Sequence, residues 1–169
     1  MAAKLLPLVL LVVLLLPATA VPGPAPPQSK SQVPQSERVR QGVSHFERAF
    51  YELTPHKRDV EAAREFDLAI GQFESELAEQ PRSAEAHAYL ARIYAVRKDF
   101  GKAAAHYDRL SELEPDNVDA CVLAALAYVD SGQVTEARAR LIAAKERTSD
   151  PDVLAKLAEY MSKLDQLKR

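Results

Sequence analysis

The sequence predicts an all-α fold: an α-solenoid of three helical hairpins, the first elongated, followed by a C-terminal capping helix. Three observations carry this expectation. In residues 84–117, His87, Leu90, Ala91, Tyr94, Ala103, Tyr107 and Pro115 stand at the spacings of a repeating unit of about 34 residues built from two short helices. The same spacings return from Val118 as Cys121, Ala124, Ala125, Tyr128, Ala137 and Leu141, and from Val43 as Phe46, Ala49, Phe50, Leu53, Ala62 and Phe66. The four prolines beyond residue 36, Pro55, Pro81, Pro115 and Pro151, fall between the apolar stripes, where a residue without an amide hydrogen ends a helix or opens its first turn.

In chain order, Leu5 to Leu16 form a short apolar run after Lys4, and Ala18-Thr19-Ala20 supplies a small-residue cleavage site. Residues 1–20 therefore read as a secretory signal peptide. The run is shorter than the ~20 residues a membrane span needs. Cleavage before Val21 predicts an exported chain, periplasmic or secreted; the alternative is an uncleaved anchor that tethers it to a membrane. Residues 21–36 hold Pro22, Pro24, Pro26, Pro27 and Pro34 among Gln, Ser and Lys, the composition of a disordered, extended linker.

The helical domain follows over residues 37–169. Its first hairpin, about 43–83, departs from the pattern twice: Phe50 is bulky where the middle unit has Ala91, and Pro81 comes seven residues late. Seven residues are close to two helical turns, so the apolar stripe stays on one face. Phe66, Ile70, Phe73 and Leu77 continue it on the second helix, while Val39, Val43, Phe46, Phe50 and Leu53 begin it early on the first. In an antiparallel pair these two extensions meet, which places Val39 near Leu77. Residues 84–117 form the middle hairpin, with Ala91 and Ala103 small where the helix axes cross. Residues 118–150 form the third, with Gly132 in the turn, where a left-handed residue is often required. Asp150 or Ser149 can cap a last helix that opens on Pro151. In it Val153, Leu154, Leu157, Ala158, Met161, Leu164 and Leu167 make residues 151–167 amphipathic and suited to cover the open end of a repeat array.

The residues quoted for 84–117 follow the pattern W-x2-L-G-x2-Y, then A-x3-F, then P, with His87 the one unusual type. On these positions the chain resembles the tetratricopeptide repeat family. The resemblance implies a protein-binding module with no active site and no cofactor, whose concave surface is lined by the first helix of each hairpin. Transferred residue by residue, that surface comprises Glu47 and Tyr51; Glu85, Ala88, Arg92 and Ala95; and Asp119, Val122, Leu126 and Val129. Members of the family that clamp a carboxylate place Lys, Asn and Arg on this surface. Here the corresponding positions hold Glu47, Tyr51, Tyr89, Asp119 and Leu123, none of them basic, so a clamped carboxylate is not expected. The mixture of acidic and aliphatic groups favours an apolar or basic segment of another protein. An adaptor or scaffold is the function expected; the alternative is a membrane-tethered assembly factor of a cell-envelope complex, acting by self-association through the long first hairpin.

Composition narrows the remaining classes. A formal net charge of −2 with no basic cluster argues against nucleic acid as a partner. Cys121 is the one cysteine, so no intramolecular disulfide can form, and its repeat position predicts a buried thiol; an intermolecular disulfide is the functional alternative. His45, His56, His87 and His106 lack metal-binding spacing, and five scattered glycines make no phosphate-cradling loop. No metal and no enzymatic activity are expected. Glu74 and Glu76 read as part of a solvated helix face.

Overall fold

The structure, a computed structural model, describes residues 36–167; the proposed signal peptide and all of the linker except Ser36 lie outside them. Helix α1 (Glu37–Glu47) is continued by a π-helical stretch (Arg48–Leu53) and a 3-10 turn (Thr54–His56). Then come α2 (Asp59–Glu79), α3 (Ala84–Val96), α4 (Phe100–Leu113), α5 (Val118–Asp130), α6 (Val134–Glu146) and α7 (Pro151–Leu167). Among the described residues there is no strand, in keeping with the all-α expectation, and none of the helices is long and apolar enough to cross a membrane. Pro55 lies in the 3-10 turn, Pro81 and Pro115 lie in helix connections, and Pro151 opens α7. The described residues form two compact units, one ending at Ile93 and the other beginning at Tyr94.

In the first unit α1 pairs with α2. Ser36 caps α1: its hydroxyl accepts from the Val39 amide at 3.1 Å and donates to Glu76 Oε2 at 2.6 Å, while Arg38 pairs with Glu79. These contacts join the start of α1 to the end of α2, as an elongated hairpin requires; Val39 is buried and Leu77 half-buried. Glu76 departs from the solvated face expected of it. It is 3% exposed, because the extension of α1 covers it and Ser36 supplies its donor. At the centre of the hairpin α1 passes so close to α2 that a Cβ on Gly42 would lie 2.8 Å from the Phe73 ring.

The buried stripe of α1 and its continuation runs Val39, Gly42, Phe46, Ala49 and Leu53. Val43 and Phe50, expected in it, are half-buried. Gly42 takes the place of Val43 where Phe73 presses in. For Phe50 the reason is the wider π turn: the Thr54 amide donates to the Ala49 carbonyl, five residues back, which rotates Phe50 off the axis of the stripe and sets Ala49 against the core.

The second unit shows the repeat in its backbone. After α3, Lys98 N donates to Ala95 O at 3.0 Å and Asp99 N to Tyr94 O at 2.9 Å; after α5, Gly132 N donates to Val129 O at 3.0 Å and Gln133 N to Tyr128 O at 2.8 Å. This is the same paired closure of a helix end, one repeat apart, and it requires a left-handed residue. Gly132 has φ 81° and Lys98 has φ 62°. In the first unit Lys57, with φ 57°, closes the corresponding turn through Lys57 N to Thr54 O and Arg58 N to Leu53 O. A side chain in this region costs about 1 kcal/mol. Lys98→Gly should therefore raise stability by up to ~1 kcal/mol, part of the gain being offset by the freedom glycine adds to the unfolded chain. The urea midpoint should rise with an unchanged slope; a lower midpoint would show that Lys98 is not strained.

Asn117 caps α5 by accepting from the Ala120 amide at 3.0 Å, and Asp150 caps α7 by accepting from the amides of Asp152 and Val153 at 2.8 and 3.3 Å. Between α5, α6 and α7 lies a core of Cys121, Ala125, Ala137, Leu141, Ala144, Leu157 and Leu164, with Val153, Tyr160 and Met161 packed against it. The terminal helix thus covers the third hairpin as expected, through a narrower stripe. Leu154 and Ala158 sit to one side of the line through Leu157 and Leu164, and they line a shallow groove of about 480 Å³ with Lys145, Pro151, Ala155 and Met161.

Candidate functional site

The first unit concentrates aromatic side chains along one line. Phe46, on the buried face of α1, sits between Phe66 of α2 at 6.1 Å and Tyr89 of α3 at 5.2 Å between ring centroids. Tyr89 stacks almost parallel on buried Phe73 at 5.1 Å. Toward the surface, Phe50 stacks on Phe46 at 5.5 Å and meets Tyr51 edge to face at 5.0 Å. Each such pair adds roughly 0.5–1.5 kcal/mol beyond the area it buries, so the line is rigid from the core outward. It ends in Tyr51, whose side is open: the residue is 52% exposed.

Charged groups surround the middle of this line. The Arg92 guanidinium lies over the Tyr89 ring, 5.7 Å from its centroid. Burial pushes the Tyr89 phenol above its usual pKa; the positive charge of Arg92 opposes this, and Glu85, Glu47 and the Tyr51 phenol add to it. Glu47, Tyr51, Glu85 and Arg92, named as surface residues from the sequence, are thus all within electrostatic reach of one phenol. Glu47 is exposed, Glu85 and Arg92 are half-buried, and Ala88 is buried beneath them.

The set proposed in the second unit has a different character. Asp119 is exposed, and Val122 and Val129 are half-buried and pack on the core of their own hairpin. Ala95 is buried, and Leu126 is 4% exposed. A charge placed at Leu126 would report on folding before it reported on binding.

Two features were not anticipated from sequence. One is the place of Tyr89 at the centre of the aromatic line and of Phe50 between Phe46 and Tyr51 at its outer end; their signal was the clustering of aromatics between residues 46 and 89. The other is a polar knot in the second unit, where Tyr128 donates to Asp108 Oδ2 at 2.7 Å and Arg140 reaches the same carboxylate through Nη2 at 2.8 Å and Nε at 2.6 Å. Burial pushes the Tyr128 phenol up, and the Asp108 hydrogen bond and charge push it further in the same direction. Nothing in local spacing marks this three-residue arrangement.

The histidines are engaged locally. His45 Nδ1 lies 2.7 Å from Glu65 Oε2, His56 Nδ1 2.6 Å from the Glu52 carbonyl and His87 Nε2 3.2 Å from the Pro81 carbonyl, while the His106 ring stacks on Tyr94 at 5.6 Å. Among the described residues no group of three or more His, Cys, Asp or Glu is placed to hold a metal ion. Cys121 is 1% exposed, and Arg147 Nη1 donates to its sulfur and to the Ser111 carbonyl, both at 3.0 Å.

Two family models described as tetratricopeptide repeat match the chain, one over residues 58–118 and one over residues 96–160. Among solved structures, the C-terminal tetratricopeptide-repeat-containing domain of an FK506-binding protein from Plasmodium falciparum is similar, with a TM-score of 0.50 and 20% identity over 78% of this chain and 93% of that one. A mutant of MamA is similar with a TM-score of 0.45 and 16% identity, over 76% of this chain and 88% of that one. No curated protein matches the sequence. At these identities the likeness to solved structures concerns the fold.

Proposed function

That this chain belongs to the tetratricopeptide repeat family is the premise from which we propose its function: an exported, non-catalytic adaptor that holds a segment of a partner protein against the first helices of its hairpins. Repeated helical hairpins of this kind are protein-interaction scaffolds. The observation that carries the reading is the aromatic line itself, which runs from Tyr89 under the Arg92 guanidinium through Phe46 and Phe50 to Tyr51, a tyrosine half open to solvent. Tyrosine and arginine held rigidly at a surface are the residue types that dominate binding energy at protein interfaces. Export rests on the apolar run and cleavage signature of residues 1–20, and the non-catalytic reading on the family's usual role.

A photo-crosslinking amino acid at position 51 tests the binding face, with position 60 on α2 as the comparison. The expected result is a partner adduct from position 51 in native extract and none from position 60; adducts from position 60 alone would move the interface to α2. Sequencing the mature N-terminus tests export, with Val21 as the expected first residue and an intact Met1 as the contrary result.

One observation favours the second reading, self-association through the long hairpin. Val60 is 66% exposed and Leu68 51% exposed, at positions eight apart that share one side of α2. A soluble monomer by light scattering at micromolar concentration would dispose of it.

A further inference from the structure

We propose that the partner segment bound by this protein presents an arginine side chain, and that the Phe50–Tyr51 surface receives its guanidinium with Glu47 and Glu52 as counter-charges. The inference rests on the reading of the first-helix face as the binding surface and adds the chemistry of its ligand.

The π-helical stretch is the starting point. It places two consecutive aromatic residues, Phe50 and Tyr51, at or near the surface, one half-buried and one half-open, where an α-helical turn of the family pattern would have a small residue. Phe50 is fixed by its stack on Phe46, and Tyr51 by its edge-to-face contact with Phe50. A rigid aromatic surface of this kind attracts cations through the ring quadrupole.

The surrounding charges give that attraction a direction. Glu47 stands four residues before Tyr51 and Glu52 directly after it, both exposed, and neither carboxylate is held in an ion pair among the described residues. The nearest cation in sequence, Arg48, is already paired with Glu65 at 3.0 Å. Two unspent carboxylates beside an open ring repel phosphates and partner carboxylates and favour a positive group. Arginine fits better than lysine, because its planar guanidinium stacks on a ring while its N–H groups fork toward carboxylates. The molecule already uses the first half of this geometry once, in Arg92 over Tyr89.

The test uses the full chain and a defined probe, the peptide amide Gly-Arg-Gly-Arg-Gly, against the same peptide with citrulline, which keeps the shape and lacks the charge. Ring signals of Phe50 and Tyr51 are followed by carbon-resolved NMR. Saturable shifts are expected with the arginine peptide at millimolar concentration, with affinity about ten-fold weaker for citrulline and for the E47Q/E52Q variant, and falling with added salt. Tyr51→Leu, which keeps apolar bulk, should weaken binding about five-fold. Helicity by circular dichroism should stay unchanged in both variants, since the three residues are exposed. Equal shifts for the two peptides, an E47Q/E52Q variant that binds as well as wild type, or no saturation would overturn the inference. So would ring shifts that change on dilution without peptide, which would assign the surface to a second copy of the chain. A crosslinked partner at position 51 together with an unresponsive arginine probe would leave the adaptor reading standing and remove this one.

Discussion

Valine in place of Gly42 is expected to destabilise the first unit by about 3 kcal/mol. The effect follows from one approach: a Cβ at this position would lie 2.8 Å from two atoms of the Phe73 ring and 3.1 Å from a third. Phe73 has nowhere to go, because it is fully buried and its ring is stacked on Tyr89. Alanine separates the two terms in the balance. It gains about 1 kcal/mol of helix propensity over glycine, so Gly42→Ala should lose only about 1 kcal/mol net, whereas valine adds two more methyl groups and loses side-chain freedom in the helix. Urea denaturation followed by tyrosine fluorescence measures both. Combining Gly42→Ala with Phe73→Leu should recover part of the loss, since the substitutions meet at one contact. A valine variant within 0.5 kcal/mol of wild type would mean that the helices do not depend on this approach.

Asp108→Ala should cost the second unit about 2 kcal/mol. The aspartate side chain is largely buried and is the acceptor for both the Tyr128 hydroxyl and the Arg140 guanidinium. Its removal leaves a half-buried cation and a half-buried hydroxyl without their acceptor. The figure is held to 2 because Arg140 is more than a third exposed, so water recovers part of what is lost. Tyr128→Phe alone should cost about 1 kcal/mol, and the double variant should cost less than the sum, because the hydroxyl has no acceptor to lose once Asp108 is gone. Strict additivity in the cycle would show that Tyr128 and Asp108 do not act as one unit.

What could be read from sequence, and what could not, divides along a physical line. The helix ends were legible because they are local events. A proline that cannot donate, a glycine with positive φ and a side chain that caps an amide three residues on all act within one turn of chain. The seven added residues of the first hairpin were legible because two whole turns preserve the phase of a stripe. The π turn was not, since its apolar residues keep spacings of three and four, and the switch from Phe50 to Ala49 depends on how α1 meets α2. The burial of Glu76 is not legible for the same reason, its partner Ser36 being brought to it only by the fold. On α5 the run Cys121, Val122, Leu123, Ala124, Ala125, Leu126 and Ala127 is apolar all round, so periodicity cannot choose the face that is left to solvent. Family register alone puts Leu126 on a binding surface, whereas it is buried. On α1 and its π-helical continuation, Glu47 and Tyr51 stand out against a clear stripe, and both are exposed.

The buried thiol gives the second unit its own clock. Cys121 is the one cysteine in the chain, and it is sealed between α5, α6 and α7 with Arg147 against its sulfur. A thiol reagent can reach it only when those helices part, so the rate of alkylation counts openings of this unit and is blind to the other. Where reclosure outruns labelling, that rate measures the free energy of opening rather than its speed. Stiffening of the second unit by a bound partner would then be visible as slower labelling, without attaching any probe to the surface that binds.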